Sequence, residues 1–358
     1  MNADDESLLE DLLDGSHRAL ARVISKIENR SPGYRPLVST LYAYAGTADV
    51  IGITGSPGAG KSTLVDKLAE TYRERGETVG VIAIDPSSPF TGGAVLGDRI
   101  RMASTVGDMD VFVRSMSARG TLGGLSTATT DAVTAMDAFG KDKIIVETVG
   151  AGQNEIDVVR TAETVAVLVP PGSGDSVQTL KAGILEIADV FVVNKADRDG
   201  ADRTVQELRE MIELGKGSGF GNAGHHGADG TNRDGDGGAR SDDGSTDWTP
   251  PIVETVATTG EGVDAFIDEL AAHRRYLEAS GERSEQARTR HAEEIRTLLR
   301  EDVNAILESE LERAGGIDAL AEAVRIGDAD PYTVADELLD PVERCLEELE
   351  TDVDLEFE

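Results

Sequence analysis

Short runs of consecutive aliphatic and β-branched residues, without polar alternation, recur from residue 49 onward. They fall at Val50–Thr54, Val79–Ile84, Lys143–Val146, Thr164–Val169 and Val190–Val193, and a last strand is expected at Ile252–Val256. A run of this kind predicts a strand buried on both faces, and the helix-like stretches between most of the runs supply the crossovers that parallel neighbours need. The expected fold is therefore α/β, a doubly wound and mostly parallel sheet flanked by helices. Upstream, Leu8, Leu12, Leu13, Leu20, Val23, Ile24 and Ile27 keep a helical spacing that breaks around Gly15. Downstream, Ile295, Leu298, Leu299, Val303, Ile306, Leu307 and Leu311 form a second helical stripe, and a further amphipathic stretch, Tyr332–Leu349, is opened by Asp330-Pro331. Such stripes are read as packing surfaces, either core or dimer seam. The expected organisation is a helical extension over 1–48, an α/β domain over 49–274 and a second helical extension over 275–358.

One segment fits no element. Residues 215–247 are mostly Gly, Asp, Asn and Ser, with almost no apolar groups to offset the entropy of ordering them, which predicts a disordered surface insertion. Its adjacent His225 and His226 lack a third ligand, so they are not read as a metal site.

Charge and cysteine content narrow the class. With 68 acidic against 34 basic residues, only eight of the latter lysine, the formal net charge is -34. That field repels nucleic-acid phosphates and anionic membranes, so neither is an expected partner. The acidic surplus also suits a surface that stays hydrated in concentrated salt, a halophilic trait without bearing on chemistry. The single cysteine, Cys345, excludes an internal disulfide framework and a multi-cysteine zinc site. The acidic stretch Met1–Asp14 has neither the basic nor the apolar region of an export signal, and no apolar run approaches a bilayer span. A cytoplasmic location is expected.

The first chemical motif follows the first strand. Gly55-Ser56-Pro57-Gly58-Ala59-Gly60-Lys61-Ser62-Thr63 matches the P-loop pattern between a strand and a helix whose apolar face includes Leu64, Val65 and Leu68. In that context the glycines let backbone N–H groups turn onto a β-phosphate, Lys61 reaches β- and γ-oxygens, and the Ser62 hydroxyl binds Mg2+. Magnesium held with a triphosphate also wants carboxylates from neighbouring strand ends. Asp85 closes one strand and Glu147 another, with Gly150 three residues beyond Glu147, as in the Asp-x-x-Gly motif that senses a γ-phosphate, although Glu replaces Asp.

A second motif names the base. Asn194-Lys195-Ala196-Asp197 ends a strand and matches Asn-Lys-x-Asp. A carboxylate at the base edge accepts from both N1–H and the exocyclic amine of guanine, whereas adenine presents an acceptor at N1 and is repelled. Ala257, in Thr255-Val256-Ala257-Thr258, stands where a backbone N–H would meet the guanine oxygen. The reaction expected is in-line attack of water on the γ-phosphate, with Lys61, Asp85 and Glu147 the residues nearest the chemistry. Gln153 stands three residues past Gly150 instead of directly after it, which predicts slow hydrolysis without a partner.

Longer strings carry a resemblance. Gly52–Thr63, Ile84–Gly93 (Ile-Asp-Pro-Ser-Ser-Pro-Phe-Thr-Gly-Gly), Leu96–Met102 (Leu-Gly-Asp-Arg-Ile-Arg-Met) and Glu147–Gln153 (Glu-Thr-Val-Gly-Ala-Gly-Gln) resemble the MeaB/ArgK GTPases that accompany methylmalonyl-CoA mutase. The similarity runs from about Leu20 to Pro341, apart from the Gly/Asp-rich insertion. It implies a P-loop NTPase fold of the SIMIBI type and a homodimer that docks on the adenosylcobalamin-dependent mutase. It further implies that GTP hydrolysis switches cofactor loading and protection of the mutase, with Mg2+ bound beside GTP or GDP and no cobalamin held tightly by this chain. By position, the resemblance adds Asp98 to Ser62, Asp85 and Glu147 around magnesium, makes Pro170–Lys181, with Asp175, Gln178 and Lys181, a mobile switch segment, and assigns the C-terminal extension to dimerisation. Three other classes stay open at this point: an ATP-dependent accessory kinase or ATPase of amino-acid transport, another metal-centre maturation GTPase such as a nickel-delivery protein, and a nucleotide-binding interaction protein without turnover.

Overall fold

The computed structural model describes residues 1–85, 108–117, 124–148, 161–172, 187–217, 248–313 and 315–348. Among the described residues seven strands form one sheet: β1 (Asp49–Gly55), β2 (Val79–Asp85), β3 (Val111–Ser117), β4 (Lys143–Thr148), β5 (Thr164–Val169), β6 (Val190–Asn194) and β7 (Ile252–Thr255). Their order is β3-β2-β4-β1-β5-β6-β7, and every pairing is parallel. Six of the seven coincide with the strands expected from the sequence, five of them as apolar runs. The seventh, β3, was not foreseen, because it is an edge strand whose lower burden of burial admits Arg114, Ser115 and Ser117 among its apolar residues.

Successive side chains of a strand point to opposite faces, and the core divides accordingly. On one face Val50, Ile82, Ile144, Val146, Val167 and Val193 pack with α1 (Ala3–Leu13), α2 (His17–Glu28), α3 (Tyr34–Leu41), α5 (Gly124–Ala138) and α6 (Ala201–Gly217). On the other, Ile51, Ile53, Val81, Ile145, Ala166 and Val192 pack with α4 (Lys61–Glu74) and α7 (Val263–Ser280). The N-terminal helices thus share a core with the sheet. Leu12, Leu20 and Ile24 are fully buried there, each contributing about 1.5–3 kcal/mol of transfer free energy. The break at Gly15 separates α1 from α2, and each helix starts on a side-chain cap: Asn2 Oδ1 accepts from Asp5 N at 2.8 Å, and Ser16 Oγ from Ala19 N at 3.3 Å. The exit from α3 to β1 is held by Asp137, whose carboxylate accepts from the N–H groups of Gly46, Thr47 and Ala48 at 2.6, 3.2 and 3.1 Å.

The remaining helices among the described residues are α8 (Glu282–Arg313), α9 (Ile317–Ile326) and α10 (Pro331–Glu348). The chain forms two compact units, Met1–Ala292 and Glu293–Glu358, so the division falls within the extension expected from 275. In the second unit the Asp330-Pro331 pair opens α10 as its sequence suggested: Asp330 Oδ1 accepts from the N–H groups of Tyr332 and Thr333 at 3.0 and 3.1 Å, and the Thr333 hydroxyl and these N–H groups hold its carboxyl below the usual range. Ile295, Leu299, Val303 and Ile306 of α8 stand 50–60% exposed. Helix α6 continues through Gly217, into the segment read as an insertion from 215, and residues 218–247 lie outside the described residues. Among the described residues no helix is long and apolar enough to cross a membrane.

Candidate functional site

The P-loop leaves the end of β1, at the centre of the sheet, and turns into α4. Two of its glycines are demanded by their surroundings. Gly55 has φ +134° and a Cβ there would lie 2.2 Å from the Leu168 carbonyl oxygen, while Gly60 has φ +95° and a Cβ there would lie 2.4 Å from Asn194 Nδ2. No L side chain fits either place. Ser56 and Gly60 are half-buried, Ala59 is buried, and Pro57, Gly58 and Thr63 face solvent. Lys61, 6% exposed, arches back over the loop and donates from Nζ to the carbonyls of Gly55 at 2.7 Å and Ser56 at 3.1 Å. The loop thus presents an ammonium group beside the N-terminus of α4, where the helix dipole and free N–H groups favour an anion.

On the adjacent strand, Glu147 is paired in register with Ile53 and is 7% exposed. Its Oε1 accepts from Ser62 Oγ at 2.6 Å. A hydroxyl and a buried carboxylate side by side are hard oxygen donors of the kind magnesium takes, and burial makes a cation at the carboxylate favourable. The residues present therefore fit the ion. Asp85 ends β2, one position beyond the Ile84–Thr148 pairing, so its backbone stands at the same edge of the sheet as Glu147. Asp98, Gly150, Gln153, Asp175, Gln178 and Lys181 lie outside the described residues.

The second motif closes on the first. Asn194, 1% exposed at the end of β6, donates from Nδ2 to the Ala59 carbonyl at 2.8 Å, and its Oδ1 accepts from Ala257 N and Thr255 Oγ1, both at 3.1 Å. Lys195, in the left-handed region at φ +64°, donates from Nζ to the Gly58 carbonyl at 2.6 Å. Asp197 is exposed just beyond. The Ala257 N–H, read from the sequence as a donor to a guanine oxygen, here donates to Asn194. Thr255 was not singled out in the sequence; its only signal there was a place at the end of β7, two residues before Ala257. The arrangement can hold a triphosphate at the P-loop and bring a carboxylate to the edge of a base.

Comparison with known proteins agrees with this geometry. The family model described as methylmalonyl-CoA mutase-associated GTPase MeaB matches residues 20–312. A relative from Pyrococcus horikoshii described as a GTPase is 45% identical over 94% of this chain and 98% of its own length. The mouse mitochondrial protein named methylmalonic aciduria type A homolog is 31% identical over 81% of this chain and 64% of its own. Among solved structures, one titled LAO/AO transport system kinase superposes with a TM-score of 0.63 at 24% identity, covering 96% of this chain and 99% of that one, a likeness of fold. The match over residues 20–312 spans the P-loop, Glu147 and Asn194-Lys195-Ala196-Asp197 together, and the chain belongs to the MeaB family of methylmalonyl-CoA mutase-associated GTPases.

Proposed function

We propose that this GTPase is a chaperone of adenosylcobalamin-dependent methylmalonyl-CoA mutase, using the nucleotide cycle to time cofactor loading and to protect the mutase from inactivation. The family match over residues 20–312 carries the reading, and the mouse relative's name points the same way. In this reading Lys61 and the N–H groups opening α4 hold the β- and γ-phosphates, and Asp197 selects guanine. Bound Mg2+, held by Ser62 and Glu147 with Asp85 and Asp98 nearby, would neutralise phosphate charge. Gly150 and Gln153, with Asp175, Gln178 and Lys181 in the switch segment, would report the γ-phosphate to the partner. Positioning and charge neutralisation do most of the work in such a reaction, and no residue need form a bond to phosphorus.

The protein would act in the cytoplasm as a homodimer through its C-terminal extension. Ile295, Leu299, Val303 and Ile306 support this, since four half-exposed aliphatic residues at successive helical turns form an apolar seam that a second copy would cover.

The test is reconstitution with the methylmalonyl-CoA mutase of the same cell. GTP turnover should rise on adding mutase, and adenosylcobalamin transfer into apo-mutase should respond to GTP against GDP. A turnover rate indifferent to mutase, together with no complex in size-exclusion chromatography, would reject the assignment.

A further inference from the structure

Behind Glu147, on the other face of the sheet, lies a pair of hydroxyls that the P-loop reading leaves unused. Thr148 Oγ1 donates to Thr54 Oγ1 at 2.9 Å, and both residues are buried, 1% and 0% exposed. The pairing Ile53 with Glu147 brings the following residues of two parallel strands, Thr54 and Thr148, side by side. Because side chains alternate, Glu147 shares the face of Ile145 and α4, while Thr148 shares the face of Val146 and the N-terminal helices. The clip thus joins the last residue before the P-loop to the residue just after Glu147, from behind.

We infer that the Thr54–Thr148 hydroxyl clip is a positioning device for magnesium: it fixes the end of β4 against the root of the P-loop, so that the Glu147 carboxylate is held toward Ser62. Three observations converge. A strand end is where pairing frays, and here Glu147 forms the last backbone pair of β4 with β1. A buried hydroxyl pair must satisfy its own hydrogen-bonding capacity, and this one does so between β4, which carries Glu147, and β1, whose end leads through the P-loop to Ser62. Finally, Glu147 reaches Ser62 at 2.6 Å, a distance that a slip of β4 relative to β1 would open directly. Groups that orient a ligand in this way change metal affinity without touching the metal.

The inference rests on the reading of Glu147 and Ser62 as magnesium donors, so the test carries its own control. GDP binding is measured by calorimetry in EDTA and again in excess magnesium chloride, for wild type, Glu147→Gln, Thr148→Val, Thr148→Ser, Thr54→Val and the double variant Thr54→Val/Thr148→Val. The clip predicts that each valine variant loses roughly tenfold of the magnesium-dependent gain in affinity, that affinity in EDTA is unchanged, and that Thr148→Ser keeps the gain. The double variant leaves no hydroxyl unpaired and conserves shape, so it covers the case in which a single variant does not fold. If Glu147→Gln loses the gain while the valine variants keep it, the clip is overturned and the donor reading stands. If Glu147→Gln keeps the gain, the donor reading fails and the clip with it. Equal losses in EDTA and in magnesium would mean general loosening of the loop and would also overturn the proposal.

Discussion

Asn194 donates to the Ala59 carbonyl across 135 residues of chain, at 2.8 Å, so the end of β6 and the P-loop are one hydrogen-bonded body. The same amide nitrogen stands where a Cβ on residue 60 would have to be. Gly60→Ala should therefore do two things at once: strain a φ of +95° and push Asn194 off Ala59. Gly58, at φ +75° with open space around its added Cβ, isolates the first effect. Gly58→Ala should cost about 1–2 kcal/mol, and Gly60→Ala clearly more, with nucleotide affinity falling at least about tenfold further than in Gly58→Ala. Urea unfolding and GDP titration of the two variants side by side check this; equal behaviour would mean that the Asn194 contact is incidental.

Asp197, exposed on the loop after Asn194, offers the carboxylate that would accept from both guanine donors. Asp197→Asn exchanges one of those acceptors for a donor. GTP affinity should fall by roughly two orders of magnitude, since each hydrogen bond to a charged group contributes about 1.5–3 kcal/mol, while xanthosine triphosphate affinity should rise. Competition of the two nucleotides on the variant measures the switch. Retained guanine preference would remove Asp197 from the base site.

Much of this architecture was readable because its physics is local. Strands buried on both faces must be continuous apolar runs, and the inner strands β1, β2, β4, β5 and β6 are, while the edge strand β7 keeps only a short apolar start before exposed Glu254. The strand β3 escaped because Arg114, Ser115 and Ser117 interrupt its apolar residues, and Arg114 turns to pair with Glu28 of α2. The phosphate and base motifs were legible for the same reason as the inner strands, since their spacing is fixed by a loop of a few residues. The contacts that make them one site were not. Thr54 and Thr148 are 94 residues apart, and Thr255 meets Asn194 across 61, so no short pattern links them. Likewise the shared core of α1 to α3 with the sheet depends on where those helices land, which periodicity alone leaves open.

One of those landings is pH-sensitive. His17, at the start of α2, sets its ring edge-on to Phe139 at 4.9 Å and tilted to Phe112 at 6.1 Å. Burial, helped by the charge of Lys141 and opposed by Asp110, holds its pKa below the ordinary histidine value of 6.5. The unfolded chain therefore binds the proton more readily than the folded one. The contribution of neutral His17 is complete above pH 6.5 and is lost as pH falls below it through the lower folded value. Stability of wild type should accordingly decline from about pH 7.5 to about pH 5 by more than that of His17→Leu, in paired urea titrations. Parallel slopes for the two proteins would place the acid sensitivity elsewhere.

The acidity of the whole surface makes the opposite kind of prediction, about salt. A net charge of -34 is a self-repulsion that folding increases, because folding brings charges closer than they are in the unfolded chain. Salt weakens that repulsion as the screening length shrinks from about 10 Å at 0.1 M to about 3 Å at 1 M. It also weakens ion pairs such as Arg325–Glu322 on α9, and the two effects have opposite signs. Solvent-exposed pairs each contribute little, and 34 basic groups can neutralise at most half of the charge of the 68 acidic ones, so relief of repulsion should win. The melting temperature should therefore climb steadily between about 0.1 and about 2 M KCl, and the gain should be similar with NaCl at equal ionic strength if screening is the cause. A melting temperature that stayed flat or fell over this range would show that the ion pairs outweigh the repulsion and would refute the reading of the surface as halophilic.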